Sequence, residues 1–259
     1  MVNLRLASLT DKLEHSYWKM VKQDYCDYYF FIYDWLLQRE KTKVVLALEQ
    51  DAIVGAMVIY DESIVQVRGE PEAVRTLLGI LELKKVDVQA PANCEGILLE
   101  TFPSFRQKES VVLMTLGRGQ ERLNVKVKPT VLGPSDAEEI ALLMKQSYPE
   151  MWSEISAEQV GNMFSADYAC WLGIKQQGRL VSFGYATLTP QVSHVTWIAT
   201  SEQWRNKGYA SSIVSALVKE CLNKASTAMI YVMDNNKMAK GIYARVGFKP
   251  YKSYTFLRT

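Results

Sequence analysis

Residues 194–211 read HVTWIATSEQWRNKGYAS, and the pattern changes once along their length. His194 to Thr200 is rich in β-branched and aromatic residues and reads as a strand, whereas from Gly208 onward apolar residues recur at helical spacing to about Lys224. Between them, Arg205-Asn206-Lys207-Gly208 carries the chain from strand into helix. The N–H groups of a helix's first turn lack intrahelical acceptors, and the aligned peptide dipoles place partial positive charge there. Gly208 lets the main chain approach a ligand closely, Ala210 is too small to obstruct it, and Arg205 and Lys207 add charge. Such a turn suits an anion. It is neither G-x-x-x-x-G-K-[ST] nor G-x-G-x-x-G, so nucleotide hydrolysis and nicotinamide binding lack their signatures.

Downstream, Met229–Met233 reads as a strand, Asn236–Val246 as a helix and Phe248–Leu257 as a last strand. Upstream, Leu123–Val127 alternates like a strand, and Ser135 with Glu138 has capping-box spacing for a helix to Ser147. Ser156 with Gln159 has the same spacing for a helix to about Ser165. Tyr168–Lys175 and Arg179–Leu188 flank Gln176-Gln177-Gly178 as a hairpin, and Val192–Thr200 follows as the next strand.

The first half repeats this order. Thr10-Asp11 opens a helix to about Lys22, and the aromatic stretch Asp24–Arg39 reads as a helix packed into the core. Lys43–Glu49 and Ala52–Tyr60 form a hairpin across Gln50-Asp51, Ile64–Arg68 is a strand, Pro71 starts a helix to about Leu83, and Lys85–Gln89 and Val111–Leu116 are strands. Gly117-Arg118-Gly119-Gln120 breaks the pattern, which predicts domains 1–120 and 121–259. Helix pair, hairpin, strand, helix, strand in both halves suggests a duplication. The fold class expected is α/β, in the α+β sense, with a mixed, mostly antiparallel sheet flanked by helices.

Composition excludes several classes. The 259 residues are 48% hydrophobic and 22% charged, enough to build two modest cores. Thirty basic and twenty-eight acidic residues leave a net charge of +2, and the cluster at Lys126 and Lys128 is too small for a nucleic-acid footprint. Cys26, Cys94, Cys170 and Cys221 show no C-x-x-C spacing, and with His15 and His194 as the only histidines no metal site is expected. Met1-Val2-Asn3-Leu4-Arg5 has no signal-peptide pattern and no apolar run spans a membrane, so a cytoplasmic location is expected.

Arg205 to Ala210, read as R-N-K-G-Y-A, resembles the phosphate loop Q/R-x-x-G-x-G/A of the GNAT superfamily of acyl-CoA-dependent N-acyltransferases. Asn236, Ala239, Tyr243, Gly247 and Phe248 stand at the positions of that family's N-x-x-A-x-x-x-Y-x-x-x-G-F signature. The resemblance covers roughly Leu123 to Thr259. The first half shares only the order of elements and looks like a degenerate copy. Its loop Arg68-Gly69-Glu70-Pro71 has an acid and an N–H-lacking proline where phosphate donors are needed.

The resemblance implies a GNAT-like fold with acetyl-CoA or another acyl-CoA as co-substrate, and a primary amine, small molecule or peptide, as acceptor. Backbone groups of Ile198, Ala199 and Thr200 would hold the pantetheine arm as a pseudo-strand. Asn206, Lys207, Gly208, Tyr209, Ala210 and Ser211 would hold the pyrophosphate beside Arg205, and Asn236 would hydrogen-bond the cofactor. Tyr243 would protonate the departing thiolate, a role that suits a phenol whose ordinary pKa is ~10. His194 is the candidate base. It shares side-chain parity with Thr196, Ile198 and Thr200 on an unbulged strand, and an imidazole pKa of ~6.5 suits proton removal. Tyr231 stands where some members place a glutamate on the following strand; Glu202 and Asp234 are weaker alternatives. The expected reaction is direct attack of the amine on the thioester. A non-catalytic acyl-CoA sensor is the rival reading, which retention of Tyr243 disfavours. No nucleic acid or membrane is expected as a partner, and a homodimer is left open.

Overall fold

The computed structural model describes residues 4–82 and 85–259, so Leu83, the expected end of the helix after Pro71, lies outside the described residues. The chain forms two compact units. The first runs to Leu113 and includes Met233–Asn235 and Tyr251–Thr259; the second is Met114–Val232 with Asn236–Pro250.

In the first unit β1 (Arg5–Ser8), α1 (Asp11–Val21) and α2 (Tyr29–Leu37) precede the hairpin β2 (Thr42–Glu49) and β3 (Ala52–Tyr60). Then come β4 (Ile64–Gly69), α3 (Pro71–Leu78), β5 (Asp87–Pro91), α4 (Glu95–Thr101) and β6 (Gln107–Gly117), which ends in the second unit. Strands β1 to β4 are antiparallel neighbours, and β5 lies parallel to β4. Alternation along the strands serves two cores. Val44, Leu46, Ala56 and Val58 meet Tyr17, Phe31 and Trp35 of α1 and α2, so the aromatic stretch is core, as its composition suggests. Ala47, Met57, Val65 and Val67 face Val74, Leu77 and Leu98 of α3 and α4.

β4 pairs with β5 only through Gln66–Gln89. Beyond that point Arg68, 1% exposed, pairs with Asp27 and donates from Nη2 to Gln89 Oε1 at 2.8 Å. Asp27 also accepts from the Tyr254 hydroxyl at 2.7 Å and from Lys252 Nζ at 2.5 Å. Arg68 and these donors hold the Asp27 carboxyl below the usual carboxylate range, outweighing the opposing effect of burial, the largest single influence. Tyr254 and Lys252 belong to the last strand, which pairs antiparallel with β5 and brings Tyr251–Thr259 into this unit.

The second unit contains β7 (Thr130–Val131), α5 (Ala137–Ser147), α6 (Pro149–Trp152), α7 (Ala157–Met163) and the hairpin β8 (Ala169–Gln176) and β9 (Arg179–Thr187). After these come β10 (Ser193–Thr200), α8 (Tyr209–Lys224), β11 (Thr227–Met233) and α9 (Lys237–Val246), with β12 (Lys249–Arg258) closing the chain. Strand order is β11-β10-β9-β8-β7, mostly antiparallel, with β11 parallel to β10. Gln177 and Gly178 both have positive φ, as a two-residue hairpin turn requires. One face packs Trp171, Phe183 and Tyr185 against Ile140, Leu143, Met144 and Val160 of α5 and α7. On the opposite face α8 lies close over Gly184, where a Cβ would overlap Ile213.

Two expectations are corrected. Leu123–Val127 is no strand: the N–H groups of Lys126 and Val127 both donate to the Ser212 hydroxyl, at 3.1 and 3.2 Å, and that of Asn124 to the Ser215 hydroxyl at 3.1 Å. The segment is strapped to α8 by buried serines instead of joining a ladder. The α5 start uses Asp136, whose carboxylate accepts from Gly133 N–H at 2.9 Å, rather than the Ser135 and Glu138 pair. β1, β7, α4 and α6 are additional. The Ser156 and Gln159 capping box forms both its bonds, and the four cysteines are free. Among the described residues no helix is long and apolar enough to cross a membrane.

Candidate functional site

Pairing between β10 and β11 is confined to Ser193–Val195 against Ala228–Ile230; farther along, Trp197–Thr200 pair with β9. The Ser201 N–H donates to Val181 O of β9 at 2.9 Å. By the alternation of an antiparallel ladder, Ile198 and Thr200 therefore turn their N–H and C=O groups away from β9, toward the opened side. There the Ile198 carbonyl accepts from the Tyr148 hydroxyl at 2.7 Å and the Thr200 carbonyl from Arg205 Nε at 3.3 Å. This is a strand edge inside a folded domain, its acceptors held by side chains.

The loop after β10 prepares a helix start. Asn206 and Gly208 adopt left-handed φ of 62° and 82°, and the Ser212 N–H bonds back to Gly208 O at 3.0 Å. The N–H groups of Tyr209, Ala210 and Ser211 are thus the first-turn donors, aligned with the dipole of a 16-residue helix. Edge, loop and helix start border one cavity of about 740 Å³. Among the described residues that line it, Lys126, Arg205 and Arg245 are cationic and none is a carboxylate, which suits a polyanionic ligand.

Tyr243 and Asn236 reach the same cavity from α9. Asn236 caps that helix, its Oδ1 accepting from Ala239 N–H at 3.0 Å, which fixes the side chain at the rim. Tyr243 is 8% exposed. Burial, and next the neighbouring Tyr148 phenol, push its pKa up, so it is a protonated donor at any neutral pH. Burial likewise pushes the Tyr148 phenol up.

Every residue expected to hold the cofactor lines this cavity except Lys207, whose ammonium sits 4.3 Å from the centre of the Trp204 ring. His194 is not brought there. The register between β10 and β9 slips at Thr196, where the strand bulges, so His194 shares a face with Trp197 and Ala199 rather than with Ile198 and Thr200. The parity expected of an unbulged strand is thereby reversed. His194 is buried, its ring edge-on to Tyr231, and burial lowers its pKa to about 3. Glu202 borders an adjoining hollow with Thr200 and Arg205, and neither Asp234 nor Tyr231 lines the cavity.

Sequence reasoning missed Tyr148, Lys126 and Asn124. Tyr148 follows the last residue of α5 and carries no motif; its signal is only an aromatic before a helix-breaking proline. Lys126 lay in plain view as a basic residue, but reading its segment as a strand placed it elsewhere. Among the described residues no group of three or more His, Cys, Asp or Glu is arranged to hold a metal ion.

Residues 137–248 match the model of the acetyltransferase (GNAT) family. Solved structures share the fold over nearly the whole chain. A Drosophila protein aligns with TM-score 0.75 at 11% identity, covering 98% of this chain and 97% of its own. A GNAT-family acetyltransferase from Colwellia psychrerythraea gives 0.60 at 15%, covering 98% and 99%. A tandem GNAT protein from the clavulanic acid biosynthesis pathway gives 0.62 at 12%, covering 99% and 98%. At these identities the likeness is one of fold. No curated protein matches the chain by sequence.

Proposed function

Because residues 137–248 match the model of the acetyltransferase (GNAT) family, we propose that the chain transfers an acetyl or related acyl group from acyl-CoA to a primary amine. The observation that carries this reading is the convergence on one cavity of an opened strand edge, a helix start with left-handed loop residues and the buried phenol of Tyr243. A sensor needs the first two; the third is a group suited to turnover. Acyl-CoA supplies the activated carbonyl and a thiolate leaving group.

The residues divide the work. Ile198, Ala199 and Thr200 would hold the pantetheine arm along the edge, and the outward N–H of Ile198 would polarise the thioester carbonyl. The first-turn N–H groups of Tyr209, Ala210 and Ser211, with Arg205, Asn206 and Gly208, would receive the diphosphate, and Asn236 the arm beyond it. The amine nitrogen forms its bond to the carbonyl carbon as the C–S bond breaks; Tyr243 gives its proton to the sulfur, the amine loses one to solvent, and solvent returns one to the Tyr243 oxygen. His194, buried and off the cavity, is given no part in proton removal. Acyl transfer is assigned to the second unit, because in the first Glu70 and Pro71 replace donors and the Arg68–Asp27 pair fills the space beyond the β4–β5 pairing.

Calorimetric titration with acetyl-CoA tests binding, with Lys207→Glu/Gly208→Asp as the loop-disrupted control. An amine panel that includes peptide α-amines, followed by release of free CoA thiol, tests transfer. Tyr243→Phe is expected to lower kcat by about 10²- to 10⁴-fold while leaving the Kd for acetyl-CoA within about threefold. An unchanged kcat removes Tyr243 from the chemistry.

A further inference from the structure

The segment 121–128 forms neither helix nor strand, yet it is fixed at several points within the second unit. The Arg122 N–H donates to Val246 O at 2.7 Å and its Nη2 to Ala244 O at 2.7 Å, both at the end of α9. Asn124, Lys126 and Val127 donate their N–H groups to Ser215 and Ser212 of α8. Both serines are fully buried, and mid-helix serine is a weaker helix former than alanine, so their hydroxyls gain by satisfying three N–H groups that have no ladder. The strap thus runs from the C-terminal end of α9 to the N-terminal turns of α8. Its apolar residues Leu123 and Val125 are left 40% and 45% exposed, while Asn124 and Lys126 line the cavity. Such exposure is the reverse of what a strand with this alternation would adopt.

At the cavity's phosphate-loop end, Lys126 lies directly over Gly208: a Cβ placed on that glycine would sit 3.5 Å from Lys126 Cδ. Lys207, the loop's own lysine, is meanwhile engaged by the Trp204 ring. We propose that Lys126, positioned by the Ser212 hydroxyl, is a diphosphate-binding residue of the acyl-CoA site, and that the strap replaces the charge the loop lysine withholds. This inference rests on the acyl-CoA reading above. An ammonium on a backbone clamped at Asn124, at Lys126 itself and at Val127 reaches a diphosphate with little ordering left to do, which favours affinity.

The test is the Kd of the full chain for acetyl-CoA and for dephospho-CoA, which keeps the diphosphate but lacks the 3′-phosphate. Lys126→Ala should raise both Kd values by about 10-fold or more and flatten the dependence of log Kd on log salt, as loss of one charge-assisted phosphate contact does. Lys126→Arg should restore most of the affinity, and Ser212→Ala should weaken it less than Lys126→Ala does. Lys128→Ala, which removes the same charge two residues away and off the cavity, should stay within about twofold. Equal effects at Lys126 and Lys128, or an effect on acetyl-CoA that vanishes with dephospho-CoA, would overturn the assignment. Failure of the unaltered chain to bind acetyl-CoA would instead overturn the functional reading with it, so the two failures are distinguishable.

Discussion

His194 offers a sharp check on the geometry of the bulged strand. Burial lowers its pKa to about 3, whereas in the unfolded chain the imidazole titrates near ~6.5. Between those values the unfolded state binds a proton that the folded state refuses, so stability is fully present above the unfolded value and drains away as pH falls. At ~1.4 kcal/mol per pH unit for one proton, going from pH 7 to pH 5 removes about 2 kcal/mol. Asp34, on α2 of the first unit, works in the opposite direction. Burial raises its carboxyl to about 7, so its contribution is largest at low pH and declines as pH rises toward that value. The wild-type curve is therefore shallow, and the informative quantity is the difference between wild type and His194→Gln. Urea unfolding of both proteins at half-unit steps from pH 7 to pH 5, followed by tryptophan fluorescence, gives that difference. It should narrow by about 2 kcal/mol toward acid, because only the wild type loses His194's contribution. Parallel curves would mean that His194 protonates normally in the folded protein, and the burial argument against it as a base would fall. The same variant carries a kinetic consequence: any acidic limb in kcat/KM should be unmoved by His194→Gln.

Two further outcomes concern the neighbouring strand edge. The Ile198 carbonyl is held by Tyr148, so acyl-CoA that pairs along this edge must displace that bond. Tyr148→Phe removes it from the free protein alone and should tighten acetyl-CoA binding by roughly 0.5–1.5 kcal/mol, a few-fold in Kd; unchanged affinity would mean the carbonyl keeps its tyrosine when ligand binds. Gly184 pairs with Ile198, and an added Cβ would overlap Ile213 and lie 2.7 Å from Ile198 Cδ1. Gly184→Ala should destabilise the second unit by about 1–3 kcal/mol in urea melts, and an unaltered midpoint would show that α8 yields.

What could be read in advance followed local rules. The Gln177-Gly178 turn, the Ser156 capping box and the run hairpin, strand, helix, strand in each half depend on neighbouring residues, and the structure bears them out. The placement of Arg205 to Ser211 at a strand-to-helix turn and of Tyr243 on a later helix was legible because each motif lies within one short stretch of chain. His194 failed for a physical reason: a single extra residue at Thr196 inverts every parity argument across it, and no local pattern in HVTWIAT announces the bulge. Lys126 failed because alternation looks the same whether a segment's N–H groups find a neighbouring strand or two serine hydroxyls 85 to 91 residues away. Tyr148 depends on a contact fifty residues distant.

Within each unit a parallel strand pair is joined for three residues and then stops, at Gln66–Gln89 in the first and Val195–Ile230 in the second. The two gaps differ in what occupies them. In the first, a buried guanidinium and carboxylate pair fills the space, bonded further to Gln89, Tyr254 and Lys252. Removing one partner would strand the other charge in the interior, a loss of about 3–5 kcal/mol, so this gap cannot be emptied by a single change. Replacing Glu70 and Pro71 with phosphate donors would accordingly leave the pantetheine path still closed. In the second, the bulge at Thr196 carries Trp197 to the opposite face into the aromatic cluster with Trp152 and Tyr185, and the residue left beside the gap is Ile198, with Gly184 opposite it and its polar backbone turned outward. The bulge that removes His194 from the cavity is therefore also what leaves the edge free for a ligand.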